Sequence, residues 1–375
     1  MEFLATERRT LATYLPGLDE VLVETPLTEL EGPESPAIGL FREAGGPGLL
    51  IPRDRSGLGA GPLEAVRVQR AIGSRSPSLA VASTMHHFST ACLVEVAAAS
   101  SGLEWLLLEA IAEQRLLLAS GFAEGQPGRG ILSPTMELRL NGSGYVVSGC
   151  KKPCSLSRSM DFLTASALLP ARTDRGPELA VVLVPAASLG LERRAFWGNP
   201  VLAAAESDEI VLRDVPVPPE LVFPAGSPDR PDPLQIDGFL WFELLISASY
   251  LGAASALVER VLRGKRGEPG ERTLLGIEME GAMAGLEGLA RAMAAGQRGE
   301  DELARALFVR YAVQRAIERA TAQAVELLGG MAFIGSSDVG YLFAAARALA
   351  FHPPSRPAMA NALAEHLVGE PLRIR

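Results

Sequence analysis

The stretch Gly238–Val258, GFLWFELLISASYLGAASALV, decides the fold. It is long and apolar enough to cross a bilayer, and its one charge is Glu243. Its flanks carry Asp237 on one side and Glu259-Arg260 on the other, without the positive bias that orients a membrane span. Ser247, Ser249 and Ser255 weaken the membrane reading further. A helix apolar on all sides is then the core of a bundle, and no membrane is expected.

Outward from this helix the chain divides into three parts. After it comes a charged, Gly-rich break, RGKRGEPGER (Arg263–Arg272). Long stretches of strong helix formers follow, ELARALFVRYAVQRAIERATAQAVELLGG among them, so residues 236–375 read as an antiparallel four-helix bundle. Before it lies a Pro/Asp-rich linker, Pro224–Gln235. Residues 119–223 are short alternating runs such as MELRLNGSGYVVSG and ELAVVLVPA, with Asn141-Gly142 as a hairpin signal. Residues 1–118 are mostly helical again. The expected class is α+β: an N-terminal helical domain, a small β-barrel or sandwich, and a C-terminal bundle.

Composition narrows the function. The 375 residues are 48% hydrophobic and 21% charged, which excludes a disordered chain. Three cysteines exclude a disulfide framework, and no basic segment leads into an apolar one at the N-terminus, so a reducing cytoplasmic setting is expected. A net charge of -9 argues against a nucleic-acid partner. Among four histidines no pair has metal-ligand spacing with a third acid or thiol, so no metal is expected.

Several segments resemble the acyl-CoA dehydrogenase family, in the family's order and over nearly the whole chain. GLLIPRDRSGLGAGPLEAVRV (48–68) is similar to its Pro-x-x-x-Gly-Gly-x-Gly stretch. NGSGYVVSGCKKPCSLS (141–157) resembles the hairpin ending in Gly-x-Lys-x-Trp-Ile-Thr-Asn. IVLRDVPVPPELV (210–222) is close to the phrase that leaves the β-domain. AVELLGGMAF (324–333) matches the Gln-x-x-Gly-Gly-x-Gly-Phe turn. The erosion of these motifs resembles divergent members from biosynthetic pathways. The resemblance implies FAD between the β-domain and the bundle, a carboxylate that removes a proton alpha to a thioester carbonyl, and hydride transfer to the flavin.

The family's usual base follows the last bundle helices. Aligning through AAARALAFHPPSR puts His352 and Pro353 there, and proline has no acid. A minority of the family carries the glutamate on the first bundle helix, one residue from Glu243. A lone carboxylate in an apolar run also stands out by itself, because burial raises its pKa toward that of a working base. Ser247 and Tyr250 share its helical face. Glu243 is therefore the expected base, against a buried ion pair with Arg310 or Arg315. His352 is the rival base, against a helix C-cap before Pro353-Pro354. For His86 and His87 packing is favoured over chemistry.

On the flavin side, the resemblance puts Ser155 where a Thr bonds the flavin near N5, and Pro153 where a Trp packs on its ring. Phe122 and Ala123 fall at strand positions that line the ring. Glycines 125, 128 and 130 could approach a pyrophosphate, or simply form a loop. Gly329 and Gly330 match the turn that receives the adenosine part of a neighbouring subunit's FAD. The Arg-x-x-Phe-Gly phrase that grips the pyrophosphate has no clean counterpart; Arg263, Lys265, Arg266 and Arg272 stand in its region.

The main expectation is α,β-dehydrogenation of an acyl thioester, on CoA or an acyl carrier protein, with an electron acceptor the sequence does not name. One alternative is a flavin-dependent monooxygenase of the same fold, whose members also lack the glutamate after the last helices. Another is a flavin-free paralogue acting as a subunit partner. A homodimer or homotetramer through the bundle is expected, because the long helix ending at Leu328 has an apolar stripe wider than one partner needs.

Overall fold

A computed structural model describes residues 2–99, 102–125, 134–170, 178–226 and 233–373. The N-terminal region contributes α1 (Ala5–Tyr14), α2 (Leu18–Glu24), α3 (Leu27–Leu30), α4 (Ala37–Glu43), α5 (Pro62–Gly73), α6 (Pro77–Ala99) and α7 (Glu104–Gln114). Eight strands follow: β1 (Leu118–Gly121), β2 (Glu137–Asn141), β3 (Gly144–Cys154), β4 (Phe162–Leu169), β5 (Glu178–Pro185), β6 (Leu191–Arg194), β7 (Asp208–Val217) and β8 (Val222–Pro224). The C-terminal region holds α8 (Pro233–Arg263), α9 (Pro269–Ala294), α10 (Glu300–Leu328), α11 (Gly330–Gly335), α12 (Ser337–Ala346) and α13 (Arg356–His366).

The strands form one sheet in the order β6-β7-β3-β2-β4-β5-β8, with β1 pairing β4 in parallel. β2 and β3 make the expected hairpin: Asn141 pairs with Gly144, and Gly142 takes a φ of +61° that a glycine adopts freely. The Gly238–Val258 stretch is the middle of α8. That helix is long and apolar enough to cross a membrane, but 94% of its most apolar window is buried inside the protein, against α5, α6, α9, α10 and α12.

Glycines set how close α5 and α8 approach. A Cβ on Gly252 would stand 2.4 Å from the Arg70 carbonyl oxygen and 2.8 Å from the Gly73 Cα. One on Gly73 would stand 2.2 Å from the Ser249 carbonyl oxygen. The serines of the apolar helix are used at this crossing. Ser249 Oγ donates to the Leu245 carbonyl and lies 3.0 Å from Thr84 Oγ1 on α6, and Ser255 Oγ accepts from the buried Arg70 guanidinium. Polar side chains thus tie three helices that apolar surface alone would let slide.

Candidate functional site

A cavity of about 320 Å³ opens where α6 and α8 meet the sheet and the segment after α12. From α6 come Met85, Phe88 and Cys92, and from α8 come Phe239, Phe242 and Tyr250. The sheet side supplies Phe122, Ala123, Ser155 and Ser207, and the C-terminal segment supplies Phe351, His352 and Pro353. Phe88 sits at the centre of an aromatic group, its ring 5.6 Å from both Phe122 and Phe242. Among the described residues lining this cavity there is no Asp, Glu, Lys or Arg.

Glu243 is not brought to the cavity wall. It points at Arg310 of α10, whose Nη1 donates to both carboxylate oxygens at 2.8 and 2.9 Å. Of the two readings open in the sequence, the geometry places Glu243 in the buried ion pair. The reason is local: Arg310 also donates to the carbonyls of Leu349, His352 and Pro353, so it needs a counter-charge at that depth. Burial pushes the Glu243 carboxyl up to about 7, against the pull of Arg310. Arg315, the other candidate partner, is exposed on α10. Ser247, on the same face, is buried with its hydroxyl unpartnered.

Arg310 of α10 and Tyr250 of α8 together grip the segment 349–353. Tyr250, one turn beyond Ser247, shares a 2.7 Å hydrogen bond with His352 Nε2. His352 lines the cavity. Burial and the nearby Arg310 charge push its imidazole down to about 3, so it is neutral at ordinary pH. A neutral imidazole offers hydrogen bonds but holds no proton for acid catalysis near neutrality.

His86 and His87 are packed, as the sequence favoured. His86 Nε2 donates to the Pro47 carbonyl at 2.9 Å and Nδ1 accepts from the Leu118 amide at 3.1 Å, an arrangement that fixes its tautomer. Burial pushes it down to about 4. His87 is buried between Phe41 and His86, with neither ring nitrogen hydrogen-bonded.

On the sheet side, Ser155 Oγ and Ser207 Oγ are 3.0 Å apart at the cavity wall. Phe122, Ala123 and Ser155 therefore share one wall. Behind it, Lys151 is fully buried and donates to Glu124 at 2.7 Å and to Ser166 at 3.2 Å. Glu124 in turn accepts from the amide of Thr135. The Lys152 amide donates to the Ala123 carbonyl. These contacts hold the Phe122–Glu124 backbone in place, and they give Lys151 a structural role.

Gly329 and Gly330 stand apart from the cavity within one chain. Gly329 closes α10 with a φ of +79°, and a Cβ on either glycine would meet open space. Gly125 also takes a positive φ, beside the Lys152 side chain; Gly128 and Gly130 lie outside the described residues. Two members of the basic cluster after α8 are engaged locally: Arg263 pairs with Glu259, and Arg272 donates to the carbonyls of Lys265 and Gly267.

The cavity suits a flavin ring system. It has a broad apolar wall, and the Ser155–Ser207 hydroxyl pair retains hydrogen-bonding capacity toward the interior. Phe122, Ala123 and Ser155 are the residues that would hold the ring. Sequence reasoning did not single out Phe88, Phe242, Trp197 or Ser207. Phe88 follows the two histidines already noted on α6, but nothing in its spacing distinguishes it from core.

No family model matches the chain. It is 46% identical, over 380 aligned positions covering all of both chains, to isobutylamine N-hydroxylase of Streptomyces viridifaciens. Among solved structures it is similar to the nitrososynthase of Micromonospora carbonacea var. africana, with 20% identity, 99% of this chain and 98% of that one covered, and a TM-score of 0.81. FMN-bound TdsC of Paenibacillus sp. A11-2 matches with 18% identity, 98% of each chain covered and a TM-score of 0.82. KijD3, in complex with FMN and an amino-keto sugar nucleotide, matches with 18% identity, 98% and 94% coverage and a TM-score of 0.83. At these identities the solved structures establish the fold, while the identity along its whole length to the Streptomyces enzyme establishes kinship: the chain belongs to the family of isobutylamine N-hydroxylase.

Proposed function

We propose that the protein is a flavin-dependent monooxygenase that hydroxylates the nitrogen of a small aliphatic amine. The observation that carries this reading is the cavity itself, which among the described residues presents no carboxylate to a substrate. Dehydrogenation of a thioester needs a base at the alpha carbon, and Glu243 is turned into its pair with Arg310 while Pro353 stands at the usual position. Oxygen transfer to an amine needs no such base. The kinship with isobutylamine N-hydroxylase points the same way. The monooxygenase alternative is thereby preferred to the thioester expectation.

Reduced flavin, when bound, supplies the two electrons with which O2 gives one oxygen atom to the amine and one to water. The residues of this chain supply the rest. Ser155 and Ser207 orient the ring edge, and the aromatic group around Phe88 excludes water. Neutral His352, fixed by Tyr250, offers a hydrogen bond at the reacting end.

FMN is the proposed cofactor, in place of the expected FAD. Arg263 and Arg272 are engaged in local contacts rather than poised for a pyrophosphate, and two structural relatives are FMN complexes. Self-association is proposed through the end of the bundle, where Met331 and Ile334 are 81% and 79% exposed.

The test is aerobic turnover with isobutylamine, a flavin reductase and either FMN or FAD. The expected product is the hydroxylamine, carrying one oxygen atom from O2. Anaerobic bleaching of the bound flavin by an acyl thioester, with no oxygenated amine formed, would restore the dehydrogenase reading.

A further inference from the structure

We propose that the cavity takes its amine as the uncharged free base, leaving the substrate's proton in the solvent. This rests on the amine reading above and adds to it the form in which the substrate is bound.

The argument begins with what surrounds the cavity. An ammonium ion needs anionic or densely polar partners to leave water, and it pays several kcal/mol without them. No carboxylate lines the cavity among the described residues, and its polar atoms are hydroxyls, an amide, a thiol, an indole and one imidazole. The carboxylates behind each wall already have ion-pair partners, with Asp237 and Glu95 sharing one arginine. Behind α8, Glu243 is matched by Arg310, and Asp237 is held by Arg298, which also holds Glu95 of α6. Behind the sheet, Glu124 is matched by Lys151 and Glu209 by Lys152. At the C-terminal segment the nearest charge is the Arg310 cation, which repels a second cation.

The titratable groups on the wall itself do not become anionic. Burial pushes the Cys92 thiol up to about 12, with Asp237 and Glu95 adding to the effect. Tyr250 is raised above its ordinary value by burial. His352 is held neutral and does not accept a proton near neutrality. So the described residues of the cavity offer neither a counter-ion for an ammonium nor a base to receive its proton. A free-base amine fits the same surroundings: its alkyl group packs on Phe88, Phe239 and Phe242, and its N–H groups can donate to serine or imidazole acceptors. Oxygen transfer to nitrogen also consumes the lone pair, which an ammonium lacks.

A primary alkylamine in water resembles a lysine side chain, with a pKa near 10.4, whereas amines buried in apolar surroundings fall to about 5–6. Binding at pH 7.5 should therefore release close to one proton per amine. The experiment is calorimetric titration of isobutylamine into the oxidised, flavin-loaded protein, in phosphate and in Tris, whose ionisation enthalpies differ. The control ligand is 2,2,2-trifluoroethylamine, whose fluorines make it a far weaker base and leave it largely unprotonated at this pH. The expected result is release of about one proton for isobutylamine and almost none for the fluorinated amine. In steady state, KM for isobutylamine should fall about tenfold per pH unit between pH 7 and 9, while KM for the fluorinated amine stays flat. Saturable binding of isobutylamine without proton release would overturn the inference and leave the amine reading intact. Failure of both amines to bind at any pH would overturn the amine reading and this inference together.

Discussion

Replacing Arg310 with methionine should both destabilise the protein and disorganise the cavity wall. The guanidinium and its partner Glu243 are almost completely excluded from solvent, with side-chain exposures of 1% and 0%. Arg310→Met removes two hydrogen bonds to the carboxylate and the donors that hold the carbonyls of Leu349, His352 and Pro353. Removing one partner of a buried pair costs about 3–5 kcal/mol, because the other charge is left uncompensated. At about 2.1 cal/mol/K per residue, the unfolding entropy of this chain is roughly 0.8 kcal/mol/K, so Tm should fall by about 4–6 °C.

The pH dependence of this loss has a definite sign. The folded-state value of about 7 for Glu243 lies above the ordinary 4.5, so the stability linked to its proton is present at low pH and is lost as pH rises through about 7. In Arg310→Met the pull of the cation is gone, the value rises further, and the loss continues above pH 7. The gap between variant and wild type should be largest at pH 8.5. Near pH 5.5 only the lost hydrogen bonds to the carbonyls remain, on the order of 2 kcal/mol. Adding Glu243→Leu should recover most of the pH 8.5 deficit, since an apolar pair carries no buried charge. Differential scanning calorimetry at both pH values reads these shifts. A melting temperature unchanged at pH 8.5 would refute the assignment of Arg310 as the counter-charge. Glu243→Gln with wild-type stability but no turnover would return Glu243 to the chemistry.

Three further changes test neighbouring parts of the reasoning. Tyr250→Phe leaves His352 Nε2 without its partner and should cost about 1–3 kcal/mol in a urea titration, with a fall in kcat/KM larger than the change in flavin affinity. Gly252→Ala forces a Cβ to within 2.4 Å of a backbone oxygen at the α5–α8 crossing; soluble yield and Tm should both drop, and a wild-type Tm would show that this crossing is looser than described. Lys151→Met unpairs Glu124 and loosens the Phe122–Glu124 wall; flavin affinity, read by fluorescence quenching, should weaken about tenfold while Tm shifts by only a few degrees.

Much of the fold was legible because it is written in periodicity. A helix as apolar as Gly238–Val258, without positive flanks, points to a bundle interior, and a two-residue break between alternating runs at Asn141–Gly144 points to a hairpin. Part of the site was legible as well. Phe122, Ala123, Ser155 and His352 all line one cavity, although they come from distant parts of the chain. Sequence similarity located them through ordered motifs. Phe88, Phe242 and Ser207 gave no such signal, because a cavity-lining phenylalanine and a core phenylalanine share the same local pattern.

By itself, the sequence determined that a single carboxylate would be buried in the Gly238–Val258 stretch and that either chemistry or a cation must account for it. Only the tertiary structure decided between the two. Arg310 lies 67 positions away, and helix packing, rather than any local spacing, brings its guanidinium within 2.8 Å of Glu243. The same packing turns Glu243 from the cavity and His352 toward it, in a protonation state set by burial and a neighbouring charge. Residue identity comes from the chain, but which groups face the substrate, and with what charge, comes from the surroundings that folding assembles.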